Sequence, residues 1–270
     1  MRPPHQGGAK AALAGGVAVA TFALFALLPQ CEKSASAFSD QEAFEARVLA
    51  VGGVKQAARP TAPKEWATEL TARTSAPARR NASPVRADDA KILDAPFLYL
   101  SGDKPLDPFT SNEVAGMRKF FALGGLIVID DASGDGGERK FLNSAREQLG
   151  RAIPDTPTID LPQDHVLFRT FYLLKKVEGR VATSRPVEAI VKRGNVLALF
   201  LPVDLGGALA RDASGSPEFA VSPGGEGQRE RAVRFAVNIA MYNLCSNYKD
   251  DQVHAPFLMR RRAGGPRSDP

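Results

Sequence analysis

The chain has 270 residues, 44% of them hydrophobic, a net charge of +5 and two cysteines. That is long and apolar enough for one large domain or two small ones with a packed core, and it excludes a disulfide-stapled scaffold. The positive balance does not argue for nucleic acid: much of it sits in Arg260-Arg261-Arg262 and Arg267 beside Gly264-Gly265-Pro266, with no interleaved aromatics.

At the N-terminus, Arg2 and Lys10 precede an uncharged stretch over residues 11–28, and Ala35-Ser36-Ala37 follows it. Basic region, apolar region and small-x-small site are the order of a secretory signal. The apolar stretch also just reaches the length of a spanning helix, so an uncleaved membrane anchor is the alternative for residues 1–37. Gly15, Gly16 and the alanine content weaken the anchor reading. Cys31 follows Leu28-Pro29-Gln30, whereas lipoprotein processing asks for a small residue just before the cysteine. Cleavage removes three basic residues and Glu32, so the net charge falls to +3, and Cys245 is left as the single cysteine. Cys245 lies in an apolar helical pattern and is expected in the core. Either fate of the segment implies export. Residues 38–256 then read as a single domain and 257–270 as a basic disordered tail.

In chain order, residues 43–51 read as a strand, or a helix passing into one, closed by Gly52-Gly53. Residues 63–70 read as a helix with Pro63 in its first turn, and Trp66 and Leu70 share its core face. Residues 74–89 form a loop with room for one short strand. A strand over 97–100 follows. Thr110-Ser-Asn-Glu113 is a capping box that opens a helix over 114–123. Gly124-Gly125 ends that helix and feeds a strand over 126–129, the unit a right-handed parallel crossover requires. The glycine-rich loop over 132–137 leads to a helix over 138–149, with Phe141, Ala145 and Leu149 on its buried face. Residues 160–168 read as a loop. Residues 186–190 and 195–200 flank Lys192-Arg193-Gly194 as an antiparallel hairpin. Residues 230–245 are helical through Val233, Val237, Ala240, Met241 and Leu244. Residues 247–254 then read as a polar surface cap or one side of a partner interface.

Three apolar runs end in small or acidic residues: Pro96-Phe-Leu-Tyr-Leu-Ser101-Gly-Asp103, Gly125-Leu-Ile-Val-Ile-Asp130-Asp131 and Val196-Leu-Ala-Leu-Phe-Leu-Pro-Val-Asp204. Runs so short and apolar suit strands covered on both faces, and open α/β sheets bind ligands beyond the carboxyl ends of their strands. Ser101, Asp103, Asp130, Asp131 and Asp204 are therefore expected to gather at one edge. Neighbours on a strand face opposite sides, so only one of Asp130 and Asp131 points into such a crevice. Three readings of the pair stay open: capping and salt bridging within the fold, hydrogen bonds to a ligand's hydroxyls, and a divalent metal site completed by Asp204 or Asp103. The glycine-rich loop before a helix resembles an anion cradle, but it lacks Gly-x-Gly-x-x-Gly spacing and a Walker lysine, and Asp135 opposes phosphate. Asp164-His165 is a neighbour pair in a loop, and His165 is a candidate base only if the fold brings the acids to it. Arg139 stands where it could orient a carboxylate or hydroxyl. No Gly-x-Ser-x-Gly or Gly-x-Cys-x-Gly elbow is present.

Arg73-Thr74-Ser75, Pro96-Phe-Leu-Tyr-Leu-Ser-Gly102, Leu123-Gly-Gly-Leu-Ile-Val-Ile-Asp-Asp131, Leu161-Pro-Gln-Asp-His-Val-Leu-Phe168, Asp204-Leu-Gly206 and Val237-Asn-Ile-Ala-Met-Tyr242, in this order, resemble a bacterial domain of unknown function, the DUF4159 family. The resemblance covers residues 44–254. It implies a branch of the class I glutamine amidotransferase-like superfamily, hence a flavodoxin-like three-layer α/β sandwich. It also implies an envelope setting, in the periplasm or anchored to the cytoplasmic membrane facing it. It carries no catalytic residues over. The combined expectation is an exported α/β domain with a mainly parallel sheet and a small antiparallel hairpin. It binds an envelope protein or a small polar, sugar-like ligand, without catalysis, at a crevice lined by Ser101, Asp103, Asp130, Asp131, Arg139, Asp164, His165 and Asp204. The alternative is a metal-assisted or His-dependent hydrolase in the same crevice. A divalent metal is the one cofactor the residues leave open, the N-terminal segment is a possible membrane contact, and nucleic acid is not expected.

Overall fold

Apolar residues on both faces of the strands demand helical cover on both sides, and the chain supplies it. The computed structural model describes residues 43–81, 84–134 and 139–263, with side chains as far as residue 246. The expected signal or anchor (1–37) with Cys31, the centre of the glycine-rich loop (135–138) and the last residues of the expected tail (264–270) lie outside the described residues. The elements run β1 (Arg47–Ala50), α1 (Ala62–Thr74), β2 (Val85–Arg86), β3 (Phe97–Gly102), α2 (Ser111–Ala122), β4 (Leu126–Asp131), α3 (Lys140–Ala152), β5 (Thr158–Asp160), β6 (Glu188–Lys192), β7 (Asn195–Leu201), α4 (Leu205–Leu209) and α5 (Gly225–Ala263). Single 3-10 turns cover Ala90–Leu93 and Val166–Arg169. The strands form one sheet in the order β2-β1-β3-β4-β7-β6-β5. The first five in that order are parallel, while β6 and β5 are antiparallel to their neighbours.

Side-chain alternation divides the core in two. Phe97, Tyr99, Leu126, Val128 and Leu199 pack with Trp66 and Leu70 of α1 and Phe235 and Ile239 of α5. Leu98, Leu100, Ile127, Ile129 and Phe200 pack with Met117 and Phe120 of α2 and Phe141 and Leu142 of α3. The architecture is a three-layer α/β fold with a mostly parallel sheet. Trp66 is fully buried among Phe44, Phe97 and Tyr99, and its Nε1–H donates to the Ala236 carbonyl at 2.8 Å, which ties α1 to α5. The capping box of α2 forms in both directions: Glu113 N donates to Thr110 Oγ1 at 3.2 Å, and Thr110 N donates to Glu113 Oε2 at 2.7 Å. Such a cap is worth about 1 kcal/mol.

β6 and β7 form the expected hairpin about Lys192-Arg193-Gly194, with a register shift at Ile190/Val191. β5 and α4 were not foreseen. β5 is a three-residue edge strand, too short for a period to show. α4 is Leu-Gly-Gly-Ala-Leu, a poor helix former, and is held by contacts described below. α5 does not stop near Cys245: it continues through residues 247–254 and on to Ala263, into the segment expected as tail. Cys245 is exposed, not buried, because one residue beyond Leu244 the helix has turned about 100° from the core face. Among the described residues, no helix is long and apolar enough to cross a membrane.

Candidate functional site

The parallel register carries three strand ends to one edge. Ser101 pairs with Asp130 and Gly102 with Asp131, while Leu201, just before Asp204, pairs with Asp130 from the other side. Tyr99, Ser101 and Asp130 share the face covered by α1 and α5; Asp131 lies on the opposite face. Asp130 has no exposed surface. Its Oδ2 accepts from the Tyr99 hydroxyl at 2.7 Å and from Gly206 N at 2.7 Å, and its Oδ1 accepts from Leu205 N at 2.7 Å. These are the first amides of α4, so this carboxylate fixes the glycine-rich helix in place. Burial, then the neighbouring charge of Asp204, pushes the Asp130 pKa up to about 7, against the pull of its three donors. Burial first, and then the charge of Asp130, raises the Tyr99 pKa well above the usual phenol value, so this hydroxyl stays protonated and donates.

Asp204 is also fully buried and caps α4 from a left-handed conformation, its Oδ1 accepting from Gly207 N at 2.9 Å. Arg59 binds it through Nε and Nη2, at 3.2 and 2.8 Å, and Arg180 Nε binds Oδ2 as well. Arg59 also donates to the Ala132 carbonyl at 3.0 Å and lies over the Phe219 ring at 4.2 Å. A Cβ on Gly206 would collide with the Tyr99 hydroxyl, so only glycine lets α4 sit this close. Asp130, Asp204, Tyr99, Arg59 and Arg180 thus form one satisfied network beneath the strand ends. Sequence reasoning missed Tyr99, Arg59 and Arg180. Tyr99 could have been found, since it stands two residues before Ser101 on the face of Asp130. Arg59 and Arg180 lie in loops with no local signal.

The remaining candidates go elsewhere. Asp131 accepts from Ser133 N at 3.0 Å and Ser133 Oγ at 2.7 Å, closing the turn that leaves β4. Arg139 pairs with Glu188 at 2.6 Å, beside Arg146 on the other carboxylate oxygen. Asp164 is exposed. His165 caps the 3-10 turn through Nδ1, which accepts from Leu167 N at 3.2 Å, and its ring lies 5.9 Å from that of Tyr242. The Tyr242 hydroxyl accepts from Val196 N at the opposite end of β7 from Leu201. Five residues of strand separate those ends, about 17 Å. Burial lowers the His165 pKa, keeping the imidazole neutral near pH 7. Among the described residues, no three His, Cys, Asp or Glu side chains are grouped to hold a metal ion.

What is open at this edge is a pocket of about 400 Å³ over the ends of β1 and β3, lined by residues 52–54, 56–58, 60, 101–105 and 107. Gly52 and Gly53 both have positive φ, +53° and +84°, and turn the chain out of β1 to form its wall. Gly52 O accepts from Asp107 N at 3.0 Å, joining that wall to the segment after β3. Ala58 N donates to the Ser101 carbonyl at 3.3 Å, so the loop after β1 passes over the end of β3. Ser101 is buried, and its Oγ has no hydrogen-bond partner among the described residues. The side chains of Gln56, Asp103, Lys104 and Asp107 are exposed. They belong to residues that line the pocket and, among the described residues, form no side-chain hydrogen bond or ion pair.

Residues 46–244 match the model of a family described as a domain of unknown function, DUF4159, and the chain belongs to that family. No curated protein matches it.

Proposed function

We propose that this DUF4159 domain is an exported, envelope-associated protein of the class I glutamine amidotransferase-like superfamily. We read it as holding a small polar, hydroxyl-bearing ligand, sugar-like in chemistry, in the pocket over β1 and β3, without reacting with it. One observation carries the reading: the polar side chains around the pocket have no partner among the described residues, while the acids at the neighbouring strand ends are sealed and paired. Gln56 supplies donors and an acceptor, Lys104 a cation, and Asp103 and Asp107 acceptors, a mixed set suited to hydroxyls. Ser101 Oγ gains a partner if the bound molecule displaces Ala58, whose N–H holds the Ser101 carbonyl at 3.3 Å. The superfamily assignment is supported by the three-layer, mainly parallel architecture and the site at the strand ends. A glutaminase activity has no nucleophile elbow to use. The hydrolase alternative needs acids and a histidine in reach of one another. His165 packs on Tyr242 at the Val196 end of β7, about 17 Å from the Leu201 end that pairs with Asp130, and Asp130 and Asp204 have no surface to offer a substrate.

Thermal unfolding of the full chain against a panel of mono- and disaccharides and amino sugars tests the reading, because a ligand of the folded state raises the midpoint by mass action. The expected result is a saturable rise with at least one sugar, lost in the Gln56→Ala/Lys104→Ala double variant. No rise with any member of the panel overturns the sugar-like class. A rise with Mg²⁺ or Ca²⁺ that Asp130→Asn abolishes overturns the non-catalytic reading in favour of a metal site.

A further inference from the structure

Residues 166–176 cross α5 without joining the sheet, yet they are held firmly. Asn238 of α5 is fully buried and engages this segment through both ends of its amide. Its Oδ1 accepts from Phe171 N at 3.3 Å and Tyr172 N at 2.7 Å, and its Nδ2 donates to the carbonyls of Leu167 at 3.0 Å and Tyr172 at 2.8 Å. That exhausts the capacity of an asparagine side chain. Leu167, Phe168 and Leu174 enter the core, Leu174 N donates to Phe168 O at 2.8 Å, and Arg234 lies over the Tyr172 ring at 5.2 Å.

What the clamp holds outward is apolar. Val166 is 47% exposed, Phe171 45% and Leu173 80%. Three of the five exposed large hydrophobic side chains among the described residues fall in this one short segment, which is concentration, not scatter. Its flanks are basic. Arg169 and Lys175 are exposed and form no ion pair among the described residues, and Lys176 pairs only with Glu178. The segment itself contains no acid; Asp164 is the nearest before it in sequence. Past the clamp, α5 runs on to Ala263 through Arg260-Arg261-Arg262.

A protein partner's contact core is depleted in lysine, whereas apolar tips set directly beside cations on long stems suit a bilayer boundary, where the stems reach back to the headgroups. We infer that residues 166–176 dock the domain on an anionic lipid surface. Phe171 and Leu173 enter the boundary between headgroups and acyl chains, and Arg169 and Lys175 meet the lipid charge. This contact belongs to the folded domain and uses none of the residues that line the pocket.

The test is Leu173→Trp in the full chain, a change at an exposed position; the parent, whose single tryptophan is the buried Trp66, is the blank. The expected result with phosphatidylcholine vesicles containing a quarter phosphatidylglycerol is blue-shifted emission, quenched by brominated acyl chains, with neither effect in pure phosphatidylcholine. Adding Arg169→Gln and Lys175→Gln is expected to weaken partitioning about 25-fold, roughly fivefold per cation. Flotation with vesicles while the emission of the introduced tryptophan stays unshifted and unquenched overturns the inference, because another segment then makes the attachment. A blue shift that grows with protein concentration in the absence of lipid also overturns it, in favour of self-association.

Discussion

Beneath the strand ends, Asp130 and Asp204 have no exposed surface and each carboxylate oxygen is engaged; above β1 and β3, Gln56, Asp103, Lys104 and Asp107 stand exposed around a pocket. Both groups are polar, and both sit at the sheet edge where α/β folds place their ligands. The difference follows from the cost of removing charge from water. A buried carboxylate survives only if paired and hydrogen-bonded, so the floor's polar chemistry is consumed in holding α4 and the loops of Arg59 and Arg180. Exposed groups carry no such requirement and remain free to meet a solute. At this edge, proximity to the strand ends does not by itself mark a candidate binding residue; whether the fold has already consumed the group separates the candidates.

The largest effect that can break this comparison is at Asp204. Asp204→Ala leaves Arg180 and the Gly207 amide without this acceptor and Arg59 with the Ala132 carbonyl alone, and is expected to cost about 3–5 kcal/mol by urea unfolding. A loss below about 1 kcal/mol would mean the arginines do not depend on the floor. Gly206→Ala drives a methyl into the Tyr99 hydroxyl and is expected to cost about 1–3 kcal/mol. Asp130 adds a pH signature. Its folded pKa of about 7 lies above its ordinary 3.8, so between roughly pH 4 and 7 the native state keeps a proton the unfolded chain has released. The contribution of this group to stability is therefore full below about pH 4 and is lost as pH rises to about 7. Asp130→Asn should flatten that slope, at its own cost of about 1–3 kcal/mol for an amide NH₂ turned on a backbone donor. Melting curves from pH 4 to 8 decide it. Equal slopes in parent and variant would mean the three donors keep Asp130 ionised in the fold.

Much of the frame was legible because it rests on local rules. The capping box, the Gly124-Gly125 stop, the two-face apolar strands and the hairpin turn each depend on a few adjacent residues. The gathering of Ser101, Asp130 and Asp204 at one edge followed from strand polarity alone. What was not legible is what those residues do there. Arg59 lies 145 residues from Asp204 in the chain, and no pattern near either announces the pair. α4 is a helix only because Asp130 and Asp204 receive its amides, so its glycines, read locally, argue against it. Cys245 failed for a smaller reason: one step of helical phase separates it from Leu244. The pocket was missed because its wall comes from Gly52-Gly53, which reads locally as a turn and nothing more.

Ser101 sits on the boundary between the two regions and gives the finest test of the distinction. It is buried like the floor and unpartnered like the rim. Its hydroxyl is close enough to Tyr99 to oppose the rise of that group's pKa, yet it forms no hydrogen bond of good geometry among the described residues. If it belongs with the rim, Ser101→Ala removes an unsatisfied buried hydroxyl, and stability should stay level or rise, by up to about 1 kcal/mol. The same change should weaken any sugar that raises the melting midpoint of the parent, so stability and binding move in opposite directions. If Ser101 belongs with the floor, the alanine variant loses about 1 kcal/mol or more and the sugar response is untouched. Paired urea unfolding and ligand titration of this one variant separate the two, because a residue serving the fold and a residue kept free for a ligand cannot give the same pair of signs.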